Sequence, residues 1–158
     1  MVARKLMVSA TVRLRWVLAA INRSLFMSGD PATRDAQATT GYVMLAVDDD
    51  PGSLLLAETF FASEGYTVAT ALSGADALAR IDQIAPDIIL LDIIMPGMDG
   101  FEVCRQIRRR PKFKNTPIIV LTSLSETDAE QRAFSIGAWD FVSKPVNWSA
   151  LAYRAQFA

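Results

Sequence analysis

Apolar residues along this chain gather in five short runs, which are separated by longer segments with helical periodicity. The run before Asp92 is continuous, which is typical of a strand that is buried on both faces of a parallel sheet. The runs cover residues 42–47, 66–70, 87–91, 117–121 and 139–142. Strands that alternate with helices predict an α/β fold of doubly wound (βα)5 type, a five-stranded parallel sheet with helices on both faces.

The helical segments carry apolar stripes that identify the faces expected to pack on the sheet. In the second predicted helix the stripe consists of Ala75, Leu78 and Ala79. Cys104 belongs to the stripe of the third helix, and we expect it in the core because a free cysteine behaves as a small buried hydrophobe. The run Arg108-Arg109-Arg110 that follows is interpreted as a solvated helix end that favours the local dipole.

The first part of the chain differs from the rest in charge. Residues 1–41 hold six Lys or Arg against two Asp, whereas residues 42–158 hold ten against fifteen acids. Residues 1–26 have basic amphipathic spacing and residues 28–40 are small and polar, so we expect a leader and a flexible linker outside a fold at residues 42–158. Arginines disfavour a signal peptide, and a membrane-surface helix stays open. We favour a leader without function, with Met27 as an alternative start.

Composition excludes several classes of site. The 158 residues are 51% hydrophobic with a net charge of -1, which fits one globular domain with an extra segment. The sequence contains no His and one Cys. Serine and cysteine triads, the common zinc sites and an internal disulfide are therefore excluded. The hydrophobic pattern also shows no transmembrane span.

Acidic side chains stand at the ends of two predicted strands. Asp48, Asp49 and Asp50 come directly after the first strand, and Asp92 follows the third. Asp50 precedes Pro51, as in a helix N-cap followed by proline at the first helical position. If strands one and three are neighbours, as in the flavodoxin-like order 2-1-3-4-5, Asp48 and Asp49 approach Asp92 at the switch point of the sheet. Three carboxylates in one crevice repel each other, and Mg2+ would resolve that conflict.

Two further polar groups arrive at the same edge of the predicted sheet. Thr122 follows the fourth strand and Lys144 follows the fifth. Together with a cation, they supply the hydrogen bond and the positive charge that an incoming phosphoryl group needs on its oxygens. Asp92 can then be an attacking carboxylate that forms an acyl phosphate.

These motifs resemble the receiver domain of bacterial two-component response regulators, over residues 42–158. The matching segments are residues 47–51 (VDDDP), 91–100 (LDIIMPGMDG), 121–123 (LTS) and 140–145 (DFVSKP). The resemblance implies that Asp92 accepts phosphate from a phosphohistidine on a histidine kinase or a phosphotransfer protein. It also implies that Asp49, Asp92 and the backbone carbonyl of Ile94 bind Mg2+, with Asp48 helping through water.

The resemblance further implies how the site reacts and signals. Thr122 and Lys144 would contact the phosphoryl oxygens, and Phe141 would be the aromatic residue that reorients on activation. The domain would catalyse only its own phosphorylation and dephosphorylation, in the cytoplasm, with a fused or separate output domain. A homodimer stays open, and nucleic acid binding is not expected because the body is acidic. Ile94 and Leu124 replace polar residues of some members, which predicts slow loss of the phosphate label.

Two other classes of protein share parts of this pattern. An aspartyl phosphatase of the haloacid dehalogenase type would use Asp48 as nucleophile and Asp50 as acid, but Pro51 ties Asp50 to a helix start. A flavin- or nucleotide-binding module should show a glycine-rich loop after the first strand, where three acids stand instead. The residue that carries the phosphate distinguishes a receiver from the phosphatase. It is Asp92 in a receiver and Asp48 in the phosphatase.

Overall fold

The computed structural model describes residues 41–123 and 136–158, in which strands and helices alternate. The strands are Val43–Val47 (β1), Thr67–Ala71 (β2), Ile88–Asp92 (β3), Ile118–Thr122 (β4) and Asp140–Ser143 (β5). The helices in these ranges are Pro51–Ser63 (α1), Gly74–Ile84 (α2), Gly100–Arg108 (α3) and Trp148–Ala155 (α4), with a 3-10 turn at Pro111–Phe113.

The five strands form one parallel sheet in the order β2-β1-β3-β4-β5, which confirms the predicted flavodoxin-like order. Four strands end one residue later than the apolar runs suggested. Asp92 and Thr122 are therefore the last residues of β3 and β4. The hydrogen-bond ladder does not stop where the apolar run stops, because Asp92 still pairs with Leu121 and Thr122 with Ser143.

Side chains of the sheet alternate between two hydrophobic cores, one on each face, as the pleat of a strand requires. Leu45, Ile89 and Val120 belong to the core that contains the buried residues of α2 and α3. The other core combines their neighbours along the strands with α1 and α4, and its sheet residues include Met44, Leu90 and Ile119. The prediction of helices on both faces is confirmed. Cys104 is fully buried in the first core, also as predicted.

The predicted stripe of α2 is wrong for two of its three residues. Leu78 is buried, but Ala75 and Ala79 are exposed. The buried residues of α2 are Gly74, Ala77, Leu78 and Ile81, a helical stripe that is shifted from the predicted one. Alanine gives a weak periodic signal, and contacts with α3 also contribute to the buried face. A Cβ on Gly74 would lie only 2.3 Å from Cγ2 of Val103 on α3.

The solvated helix end predicted at the arginine run is wrong for Arg108 and Arg110. The Arg110 guanidinium pairs with Asp82 at 2.7 Å. Arg109 is the exposed member of the run. The Arg108 guanidinium donates hydrogen bonds of 2.7–3.0 Å to three backbone carbonyls, those of Phe113, Thr116 and Gly137. Arg108 thus ties the end of α3 to the turn that follows it and to Gly137, which is distant in sequence.

Three predictions fall on residues outside the described ranges. These are the leader and linker at residues 1–40, the helix predicted between β4 and β5, and the part assigned to Leu124; all three stay predictions. Within residues 41–123 and 136–158, no helix is long and apolar enough to cross a membrane.

Candidate functional site

The candidate site lies at the carboxyl edge of the sheet, where the order of the strands brings β1 beside β3. Val47, the last residue of β1, pairs with Leu91, so Asp48 emerges next to Asp92. In open α/β sheets, ligands bind in the crevice outside the carboxyl ends of the strands. The predicted approach of these carboxylates therefore follows from the register of two neighbouring strands.

Three carboxylates meet at this edge. One oxygen from each of Asp48, Asp49 and Asp92 lies within 4.8 Å of the others. Asp48 and Asp92 are each 4% exposed, whereas Asp49 faces solvent. An all-oxygen cluster that is partly buried and partly open to water suits Mg2+, which keeps some of its water ligands.

Lys144 connects the two buried carboxylates. Its Nζ lies 2.9 Å from Oδ2 of Asp48 and 3.2 Å from Oδ2 of Asp92. Burial by itself lowers the pKa of Lys144, but the hydrogen bonds and charges of Asp48 and Asp92 outweigh burial and raise it. The ammonium therefore stays charged and counters part of the negative charge.

The pKa of Asp92 is raised, chiefly because burial disfavours its charged form. The charge of Lys144 opposes this shift and the charge of Asp48 adds to it. One ammonium thus faces three carboxylates, and additional positive charge at the cluster would favour the ionised form of Asp92.

Asp50 has a different environment from its two neighbours. Its carboxylate accepts hydrogen bonds from the backbone N–H groups of Gly52 and Ser53, at 3.2 and 3.0 Å, and so caps α1. Pro51 is the first residue of that helix, as the sequence predicted. Hydrogen bonds from the Ser53 hydroxyl and the two backbone groups lower the pKa of Asp50. Asp50 is therefore a helix cap, separate from the carboxylate cluster.

Thr122 and Phe141 lie on the strands that complete the edge. Thr122 is fully buried, and its carbonyl accepts a 2.7 Å hydrogen bond from the Lys144 backbone N–H. That bond places the strand end of β4 beside the residue that carries the ammonium. Phe141 is partly buried against the core formed by α2 and α3. The reorientation of Phe141 stays a prediction.

The loop after β3 begins with Ile93 and Ile94. The backbone N–H of Ile94 points to Oδ1 of Asp92 at 3.5 Å, which is at the outer limit for a hydrogen bond. The Ile94 side chain is 52% exposed at this loop. The role of its carbonyl as a metal ligand stays a prediction.

Gly100, the first residue of α3, also belongs to the site. Its backbone N–H donates to the Ile93 carbonyl at 2.9 Å. A Cβ at this position would lie 2.2 Å from the Asp92 carbonyl oxygen and 2.8 Å from Cα of Ile93. Only glycine lets the start of α3 approach the backbone of Asp92 so closely. No local pattern could have shown this, since the contact is between the helix and a residue eight positions earlier.

Comparison with known proteins agrees with the fold. A family model described as the response regulator receiver domain matches residues 44–156. Response regulator PleD of Caulobacter vibrioides is 40% identical over 104 residues, which are 66% of this chain and 23% of that protein. A probable cyclic di-GMP phosphodiesterase of Vibrio cholerae is 40% identical over 115 residues, 70% of this chain and 25% of that protein.

A solved structure shows the same similarity. Chemotaxis protein CheY4 of Vibrio cholerae matches with a TM-score of 0.70 and 33% identity, over 73% of this chain and 97% of that one. The two curated relatives, in contrast, are matched over about a quarter of their lengths. The similarity therefore concerns one domain of those longer proteins.

Proposed function

Because the chain belongs to the response regulator receiver domain family, whose members are phosphorylation-dependent signalling switches, we propose that Asp92 is its phosphoacceptor. One observation carries this assignment. Asp92 is the buried carboxylate at the end of a central strand, and the ammonium of Lys144 lies 3.2 Å from its Oδ2. A nucleophilic carboxylate beside a fixed cation fits phosphoryl transfer, in which positioning and charge stabilisation supply most of the catalysis.

In the proposed reaction, a carboxylate oxygen of Asp92 attacks the phosphorus of a phosphohistidine on a partner. The new O–P bond forms as the P–N bond breaks, and the bonding electron pair leaves with the imidazole, which takes up a proton. Lys144 then contacts the phosphoryl oxygens, and the Thr122 hydroxyl donates a hydrogen bond to them. Because the Asp92 carboxylate charge is replaced by the charge of the phosphoryl group, Lys144 exchanges its contact with Oδ2 of Asp92 for contacts with the phosphoryl oxygens.

Receiver domains generally bind Mg2+ in an acidic pocket, and the carboxylate cluster of this chain has the oxygen donors that Mg2+ prefers. Asp48, Asp49, Asp92 and the carbonyl of Ile94 would hold the ion. When bound, it would supply positive charge for the phosphoryl oxygens. Asp49 is exposed, so solvent reaches the cluster on the side of Asp49.

The proposed partners follow from the same reaction. A histidine kinase or a histidine phosphotransfer protein would supply the phosphohistidine, and an output module in the same or another polypeptide would respond to the phosphorylated state. We keep a homodimer open and propose no direct binding of nucleic acid by this domain. Autocatalysed dephosphorylation and a cytoplasmic location are proposed from the family alone.

A phosphatase of the haloacid dehalogenase type is not favoured. That chemistry would need Asp48 as the nucleophile and Asp50 as the acid. Asp48 is held by Lys144 and by the backbone N–H of Asp50, at 2.9 Å each. Asp50 caps α1. The second carboxylate is therefore engaged in the helix start and is not directed as an acid.

The test is to incubate the chain with labelled acetyl phosphate and Mg2+ and to locate the label. We expect the label on Asp92 and its loss in Asp92→Asn. Asp99→Asn is the matched control, because Asp99 caps α3 through the Glu102 N–H and has no part in the cluster. Full labelling of Asp92→Asn, or label on Asp48, would show that Asp92 is not the phosphoacceptor.

A further inference from the structure

A cavity of about 270 Å3 opens beside the carboxylate edge, on the face of the sheet that carries α1 and α4. Apolar side chains of the sheet and of both helices form most of its wall. The small side chain of Ala57 leaves space on the α1 side, and Trp148 lines the α4 side. Leu56 also lines the cavity and is 58% exposed, so it lies where the cavity meets solvent.

The polar groups of the wall are few and come from the ends of the surrounding elements. The lining residues that can supply them are Asp48, Lys144 and Ser53. Asp48 and Lys144 form an ion pair at 2.9 Å, so their charges largely cancel as seen from the cavity. A charged ligand would be repelled by either Asp48 or Lys144, whichever has the same sign of charge. A neutral ligand would be repelled by neither.

The hydrogen-bonding capacity of this end favours a donor on the ligand. The Ser53 hydroxyl donates to Oδ2 of Asp50 at 2.9 Å, which leaves its oxygen as an acceptor. The Asp48 carboxylate offers acceptor oxygens. A neutral ligand with one N–H or O–H group can therefore satisfy this end of the cavity.

The volume selects a small occupant. Pockets for drug-sized ligands hold roughly 300–1,000 Å3, and dry cavities of about 150 Å3 bind benzene. A cavity between these sizes is too small for a helix, whose diameter with side chains is about 10 Å. It matches a substituted single ring or a fused bicyclic molecule.

We propose that this cavity is a binding site for a small, neutral, mostly apolar molecule with one hydrogen-bond donor, such as a phenol or an indole. The apolar body would lie between Ala57 and Trp148, and the donor would reach Asp48 or Ser53. This site is distinct from phosphoryl acceptance, and its occupant would contact Asp48 and Lys144 of the carboxylate edge.

Binding is tested with 4-fluorophenol as the probe, followed by fluorine NMR on the full chain without any phosphate donor. We expect saturable binding to the wild type and weaker binding of fluorobenzene, which lacks the donor. Filling the cavity with Ala57→Leu should weaken binding by about tenfold or more, since single methylene changes in pockets have effects of this size. Absence of saturable binding, or tighter binding of fluorobenzene, would overturn the proposal.

A second pair of variants covers the case in which Ala57→Leu does not fold. Leu56→Gln and Leu55→Gln change two adjacent, comparably exposed residues of α1, of which only Leu56 lines the cavity. We expect weaker binding in the first and wild-type binding in the second. Equal effects would mean that the probe binds the outer surface of α1 and not the cavity. Phosphate labelling of Asp92 is measured separately, so failure of either proposal leaves the other standing.

Discussion

Asp48, Asp49 and Asp50 are three identical neighbours with three different environments. Asp48 is buried and bonded to Lys144, Asp49 is exposed beside the cluster, and Asp50 turns back to cap α1. The chain leaves β1 at this point and begins a helix within three residues, so consecutive side chains point in different directions. Residue type alone therefore does not assign a role at this edge.

The division between Asp49 and Asp50 predicts unequal effects on metal binding. We expect Asp49→Ala to weaken Mg2+ binding strongly, because it removes an oxygen from the cluster. Asp50→Ala should leave Mg2+ affinity nearly unchanged and lower the thermal stability, because α1 loses its N-cap. Calorimetric Mg2+ titration and thermal unfolding of both variants provide the measurement. Equal losses of affinity would show that the assignment of Asp50 to capping is wrong.

Gly100 predicts a second effect at the level of one residue. In Gly100→Ala, the new Cβ must displace the Asp92 carbonyl, which lies 2.2 Å from its position. Overpacking of this kind costs roughly 1–3 kcal/mol, and here it moves the phosphoacceptor. We expect slower labelling by acetyl phosphate together with lower stability.

The control for this substitution is Gly97→Asn. Gly97 has φ +78°, a conformation that asparagine tolerates, and a Cβ there would meet no atom within 4 Å. The labelling rate of Gly97→Asn should stay near that of the wild type. A Gly100→Ala chain that is labelled as fast as the control would contradict the close-approach argument.

At the scale of elements, the sequence predicted what depends on burial and missed what depends on contacts between elements. Apolar runs predicted the inner strands best, because β3 and β4 are buried on both faces and their sequences are almost entirely apolar. The edge strands β2 and β5 are only partly buried and contain polar residues, so their pattern is weaker. The rule that ligands bind at the carboxyl ends of strands then grouped Asp48, Asp92 and Lys144. The face of α2 was partly missed because its apolar residues fit more than one helical stripe, and only contacts with other elements select Gly74, Ala77, Leu78 and Ile81.

Arg108 and Arg109 test an interaction between elements that a charge pattern cannot reveal. Arg108 donates to the carbonyls of Phe113, Thr116 and Gly137, while Arg109 is exposed. Removing a partner from partly buried carbonyls costs about 1–3 kcal/mol, so we expect a loss of that size in Arg108→Ala. Arg109→Ala should change stability by no more than about 0.5 kcal/mol. Urea unfolding measures the free energy of unfolding of both variants. Similar losses would mean that Arg108 contributes no more to stability than an exposed arginine.

At the scale of the whole molecule, every described residue of the site lies between Asp48 and Lys144, at the edge of a sheet whose first strand begins at Val43. The ten basic and fifteen acidic residues of positions 42–158 contrast with the basic residues 1–41. The division into residues 1–41 and a domain at residues 42–158 stays a prediction. The family match to residues 44–156 covers the same part of the chain.

This organisation predicts that residues 1–40 are dispensable. A chain that begins at Gly41 should fold and accept phosphate like the full chain, because it keeps all of β1. A chain that begins at Leu45 is the control and should be strongly destabilised, since it removes Val43 and Met44, which pair with β2 and, for Met44, with β3. Circular dichroism and acetyl phosphate labelling provide the readouts. Failure of the Gly41 chain to fold would make the leader part of the domain.

Loops at the carboxyl ends of the strands and loops at the amino ends differ in how a change of their length would affect phosphate labelling. Each functional side chain is placed by the final residues of a strand, so an insertion between Met95 and Gly97 shifts the path from Asp92 to Gly100. The connection between α1 and β2 turns at Gly65, with φ +90°, at the opposite edge and carries no residue of the described site. A two-residue insertion after Gly65 should therefore leave phosphate labelling unchanged, whereas the same insertion after Met95 should abolish it. Gly65 is thus the position at which a reporter peptide can be carried by this domain without cost to its chemistry.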